Sequence, residues 1–161
     1  MDFFRIMEIM LYVLVDLFPN LILAVAPFRD SLRFSEKTTV AAAIALYIFM
    51  VLSRIVALRG LSTAAFLSIL WIALYLGYYV IFIKAELAKL LFVLLTILNY
   101  GSFTTIVFNY FTCRIFPQAA ERPYSLYISA ALIIDYLISY PFVYRMLGRK
   151  LRSLIAFPEN S

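Results

Sequence analysis

Apolar runs long enough to cross a bilayer alternate along this chain with short polar or basic stretches. The pattern predicts about five transmembrane helices, at 6–28, 38–58, 61–83, 90–112 and 126–144. A hydrocarbon core about 30 Å thick requires about 20 helical residues per crossing. The runs 61–83 and 90–112 contain no charged residue and are the clearest of the five. Only Lys84-Ala85-Glu86-Leu87-Ala88-Lys89 joins them, so they are expected to be antiparallel neighbours. The first run is the least regular, with Glu8, Asp16, Pro19 and Asn20 inside apolar sequence. Proline removes a backbone donor and clashes with the preceding turn, which predicts a kink near Pro19. The second run starts with Ala41-Ala42-Ala43 and carries Arg54 near its far end, within snorkelling distance of the surface. The fifth follows a turn-rich stretch, Pro117 to Pro123, and holds one mid-span charge, Asp135.

Composition agrees with this reading. The chain is 65% hydrophobic and 14% charged, with mean hydropathy +0.97, whereas soluble domains are about 45–50% apolar and about 25% charged. The expected fold class is therefore all-α, a polytopic membrane helix bundle. No repeat, low-complexity tract or linker divides the chain, so residues 1–161 form a single domain ending in a basic tail, 145–161. Ala24-Val25-Ala26 has the small-residue spacing of a signal-peptide cleavage site. Glu8 and Asp16 upstream, the lack of a basic leader beyond Arg5, and Pro27 argue that the first run remains as a helix.

The net charge is +5, but the 14 basic residues are spread between apolar runs and form no dense patch; nucleic-acid binding is not expected. Counted on alternate sides of five spans, nine basic residues fall on the side of Arg29, Lys84 and Arg145, and five on the side of Arg5, Arg54 and Arg114. The positive-inside rule then places the protein in the plasma membrane with its N-terminus outside and its C-terminus in the cytoplasm. In the tail, Leu147, Leu151, Leu154 and Ile155 share one face and Arg145, Arg149 and Arg152 another. That suits either a short helix on an anionic leaflet or a solvated stop-transfer tail. Tyr78, Tyr79, Tyr140 and Tyr144, near span ends, read as interfacial anchors. Cys113, the one cysteine, cannot close an intrachain disulfide and reads as a small buried hydrophobe.

Histidine is absent, which removes the commonest general base, the commonest metal ligand and a histidine phosphoacceptor from this chain. No phosphate-binding loop, nucleophile elbow or paired-cysteine motif is present. No enzymatic activity, metal site or cofactor is expected. The remaining chemistry is intramembrane polarity. An ionised carboxylate at mid-span costs several kcal/mol unless paired or hydrated, so Asp16 and Asp135 are expected to face the bundle interior. Two readings stand for each: an ion, ligand or proton site with Arg54 as counter-ion, or a structural acid hydrogen-bonded to a neighbouring helix. Asn99, Ser102, Thr105, Asn109 and Thr112 fall on one broad side of the fourth span, either as interhelical hydrogen-bonding groups or as a pocket lining. Ala131, Asp135 and Ser139 share a face of the fifth span that is expected to meet the fourth.

The order of several short stretches resembles a known family. They are Ala26-Pro27-Phe28-Arg29 followed by Leu32-Arg33-Phe34, the run Leu98-Asn99-Tyr100-Gly101-Ser102-Phe103 with Phe108-Asn109-Tyr110, and Tyr140-Pro141-Phe142 leading into the basic tail. Together they resemble the multi-span N-terminal membrane region of GHKL-type sensor histidine kinases from Gram-positive anaerobes. The resemblance implies a sensor region that detects a peptide, antimicrobial or envelope signal and relays it through the segment Arg145 to Arg152. It also implies a homodimer in the lipid bilayer and an as yet unidentified extracellular or membrane ligand. The phosphoacceptor histidine and ATP-binding domain of that family are not in these residues. The alternative is a small membrane subunit of a transporter or envelope-assembly complex, with Asp135 and the Asn99 to Asn109 stripe contacting solute.

Overall fold

The computed structural model describes residues 2–58, 61–119, 121 and 124–155, with side chains except at 61–65, 67, 68 and 147–155. It is an all-α bundle of five helices: α1 (Phe3–Val25), α2 (Glu36–Ala57), α3 (Leu61–Phe82), α4 (Leu87–Ile115) and α5 (Leu126–Ile155), with short 3-10 turns at Ala26–Ser31 and Pro117–Ala119. Among the described residues, α1, α2, α4 and α5 are long and apolar enough to cross a membrane. In α3, the described apolar stretch is Ile69–Phe82.

Helix α1 occupies the centre, packed against α2, α4 and α5, while α3 packs on α2 and α4. Cross-helix contacts fix the directions. Glu8 and Asn20 meet Leu126 and Tyr136 in the same order along both helices, so α1 and α5 are parallel. Phe116 stacks on Tyr127 while Tyr100 meets Ser139, so α4 and α5 are antiparallel. Ser53 meets Trp71 and Thr39 meets Tyr78, so α2 and α3 are antiparallel as well. The central position of α1 explains its irregular composition. A helix with three helical neighbours can place polar groups against them on one face while its other face, with Met10, Leu14 and Ile22, stays exposed and apolar.

The five predicted runs fall on these helices: α4 extends beyond 90–112 at both ends and α5 beyond 144, whereas α1 ends at Val25, before 28, and α2 and α3 end one residue before 58 and 83. Helix α1 continues through Pro19 to Val25 as one helix. The Ala-Pro-Phe-Arg stretch becomes a 3-10 turn with Pro27 in its first positions, and Phe28 is completely buried. The next residues clamp the distant α3–α4 connection: Arg33 N–H donates to Phe82 O at 2.9 Å, Lys84 N–H donates to Ser31 O at 2.7 Å, and Arg33 Nε donates to Ile83 O at 3.3 Å. Two connections thus meet at one end of the bundle. Ser35 caps α2 by accepting the Thr38 N–H, which satisfies a donor that the first helical turn leaves free.

Three expectations change. The backbone of α5 stays helical through Ile155 without a break after the fifth span, so no separate helix begins at the basic tail; the proposed side-chain faces of 147–157 lie outside the described side chains. Tyr79 and Tyr78 are core residues at 0% and 7% exposure, not interfacial anchors, because they sit where α3 turns its face to the bundle. Tyr140 is half-buried and Tyr144 is exposed. Cys113 is half-buried.

Candidate functional site

Four polar side chains of α1 recur every fourth residue: Glu8, Tyr12, Asp16 and Asn20. That spacing places them one above another on one face of the helix. Glu8, Tyr12 and Asn20 are buried and Asp16 is half-buried, so the stripe forms a polar ladder inside the bundle.

Three of the rungs contact residues at or just before α5. Glu8 pairs with Arg5 at 2.8 Å and accepts the main-chain N–H of Leu126, the first residue of α5, at 3.3 Å. A carboxylate at a helix N-terminus both satisfies a free donor and complements the helix dipole. Tyr12 packs its ring on Tyr124 with 4.8 Å between centroids. Asn20 Nδ2 donates to the Tyr136 hydroxyl at 3.1 Å and to the Asp16 main-chain carbonyl at 2.7 Å. Its Oδ1 is buried without a partner. Against this amide lies Gly101 of α4, where a Cβ would stand 2.8 Å from Asn20 Nδ2. Only a residue without a side chain admits α4 so close to α1.

Asp16 lies at the centre, within electrostatic reach of the Arg54 guanidinium and of the Tyr12, Tyr75 and Tyr136 hydroxyls. It makes no direct ion pair with Arg54 among the described residues. Arg54 packs against neighbouring side chains. It lies over the ring of Trp71 at 3.5 Å from the centroid, and its Nη1 donates to the Tyr124 hydroxyl at 2.9 Å. Trp71 Nε1 in turn donates to Ser53 Oγ at 2.7 Å, and Ser53 Oγ donates to Met50 O. A guanidinium removed from water is held here by a π face and a hydroxyl, interactions that strengthen as solvent is excluded. Arg54 Nε remains buried and unpartnered.

Asp135 is buried at 8% exposure, and its Oδ2 has no partner. It stands apart from Arg54, whose charge acts on Asp16. One turn further, the Ser139 and Tyr100 hydroxyls lie 2.7 Å apart, so this face of α5 meets α4. The partner from α4 is Tyr100, and the Asn99–Thr112 stripe lies largely elsewhere. Asn99 and Ser102 are exposed on the outer side of α4, and the Asn99 amide donates back to Leu95 O at 2.8 Å. Thr105 and Asn109 are half-buried and Thr112 is buried. The stripe therefore winds around the helix and is not a single lining.

Of the sequence candidates, Asp16 and Arg54 share one cluster and Asp135 lies on a second face, whereas Asn99 and Ser102 join neither. The rungs missed from sequence are Glu8, Tyr12 and Asn20, with Tyr75, Tyr124, Tyr136, Trp71 and Gly101 around them. The four-residue spacing on α1 was the available signal. Among the described residues, no three His, Cys, Asp or Glu side chains converge as a metal site would require.

The class defined by these observations is an all-α bundle with membrane-spanning helices and a polar interior organised by its first helix. In comparisons with family models, curated proteins and solved structures, no match to the chain was found.

Proposed function

We propose that the chain is the membrane-embedded input region of a bacterial signal-transduction histidine kinase, with its N-terminus outside and its C-terminus in the cytoplasm. The observation that carries this reading is the form of α5. At 30 residues, it is about 45 Å long by its helical rise, longer than a hydrocarbon core of about 30 Å. It is held to α1 at two levels, through Glu8–Leu126 and Asn20–Tyr136. A helix fixed to the polar interior and continuing past the apolar region links the two ends of the bundle, and Pro141, inside it beyond the Tyr136 contact, removes one helical hydrogen bond and provides a point at which the tail bends when the bundle shifts. The pairing of the 31–33 and 82–84 backbones joins two of the more basic connections at one end, which supports the cytoplasmic assignment of that end.

The test is the native gene product. Its mass and C-terminal peptide are expected to reveal a histidine-bearing helix and an ATP-binding domain beyond α5, and Tyr136→Phe is expected to change its autophosphorylation in membranes several-fold. A native product without a kinase region would overturn the reading.

The second reading, a small subunit of a membrane complex, is favoured by the exposed polar Asn99 and Ser102 on the outer face of α4. Polar groups on an otherwise apolar exposed face suit contact with a helix of another chain. Cysteine crosslinking at Ser102 in native membranes distinguishes a second copy of this chain from a different partner.

A further inference from the structure

A groove of about 460 Å³ opens between the end of α1, the first turns of α2 and Tyr144 of α5. That volume is typical of a small-molecule site. Its walls are apolar, formed by Phe18, Leu21 and Ile22 on one side and Val40 and Ala43 on the other. Its charged residues are Arg29 and Glu36, which pair with each other at the mouth. From Glu36 to Ala43 the groove follows α2 for about 10 Å at 1.5 Å per residue. An occupant is therefore apolar along its length and charged at one end, which describes a lipid lying in one leaflet.

The geometry of the ion pair narrows the headgroup. Arg29 Nε and Nη2 both donate to the same oxygen, Glu36 Oε1, at 3.2 and 3.0 Å. Arg29 Nη1 and Glu36 Oε2 take no part in this pair, and the two side chains are 68% and 67% exposed. The mouth thus offers a planar cation and a carboxylate oxygen side by side without the pair being broken. A zwitterion bearing a phosphate and a primary ammonium complements both. A choline headgroup has no N–H to give the carboxylate, and a glycerol headgroup has no cation.

We propose that this groove binds an ethanolamine phospholipid, with the phosphate on Arg29, the ammonium on Glu36 and one acyl chain between α1 and α2. The site does not depend on the signalling reading.

The test uses the full chain in detergent, mixed with equal amounts of ethanolamine, choline and glycerol phospholipids of identical chains, with bound lipid read by native mass spectrometry. The ethanolamine lipid is expected to be retained roughly fivefold over the other two, the gain of about one exposed ionic contact. Glu36→Gln removes that preference and leaves glycerol-lipid binding intact, Arg29→Gln weakens all three, and Val40→Trp fills the groove and abolishes retention while far-UV circular dichroism stays helical. Equal retention of the ethanolamine and choline lipids overturns the proposal. A preference for the glycerol lipid that survives Glu36→Gln overturns it in favour of simple anion attraction, and retention unaffected by Val40→Trp places the lipid elsewhere.

Discussion

Glu8 Oε1 accepts the main-chain N–H of Leu126 at 3.3 Å, so an acid near the start of α1 caps the helix that ends the bundle. The same carboxylate holds Arg5 at 2.8 Å. Buried at 4% exposure, Glu8 would be costly if left without these donors. Its position explains why an apolar first helix tolerates an acid, and it ties the starting point of α5 to α1.

Replacing Glu8 with Ala removes both partners and is expected to destabilise the bundle by about 1–3 kcal/mol, with Glu8→Gln costing less because an amide oxygen still accepts the Leu126 N–H. Reversible unfolding in mixed micelles, followed by circular dichroism, gives both values; equal losses for Ala and Gln would show that the cap itself contributes nothing.

The contact of Gly101 with Asn20 predicts a size-graded loss. Gly101→Ala forces the Asn20 amide off Tyr136 and is expected to cost about 1–2 kcal/mol, and Gly101→Leu more, since it also separates α4 from α1. Combining Gly101→Ala with Asn20→Ala should recover much of the loss. A double-variant unfolding cycle measures this coupling directly.

Arg54 covers the face of Trp71, the only tryptophan of the chain. Arg54→Ala is expected to raise acrylamide quenching of tryptophan fluorescence and to destabilise the bundle by about 1–2 kcal/mol, while Arg54→Lys, with a smaller and less planar cation, falls between. Quenching constants equal to those of the parent protein would contradict the stacked geometry.

Neither aspartate makes an ion pair among the described residues. Asp16→Asn removes a carboxylate within electrostatic reach of Arg54, and stability is expected to change by no more than about 1 kcal/mol. Asp135→Asn neutralises a buried group whose Oδ2 has no donor, so stability is expected to be unchanged or to rise by up to about 1 kcal/mol. If Asp135→Asn impairs signalling or transport while membrane insertion and stability are retained, the acid serves function and not folding.

The Tyr100–Ser139 contact is expected to couple α4 to α5 by about 0.5–1 kcal/mol. Tyr100→Phe and Ser139→Ala, alone and together, should show less than additive losses in unfolding free energy. Fully additive losses would mean that the two hydroxyls do not interact.

The sequence by itself determined the elements, because membrane spans are written in length and apolarity. The uncharged runs 61–83 and 90–112 and the short Lys84 to Lys89 connection were sufficient to predict antiparallel α3 and α4. It also limited the chemistry to Asp16, Asp135, Arg54 and a few amides. What it did not reveal is which helix stands at the centre, since hydropathy reports burial from water and does not distinguish lipid from protein. Tertiary packing decided that α1 contacts three other helices, and with it that Glu8 is a cap, that Asp16 lies within electrostatic reach of Arg54, and that Gly101 is a point of close approach. It also turned Asn99 and Ser102 outward and drew Arg54 inward onto Trp71. The physical reason is that a polar side chain within a bilayer is satisfied by a particular neighbour, and neighbours belong to the packed bundle and not to any one helix.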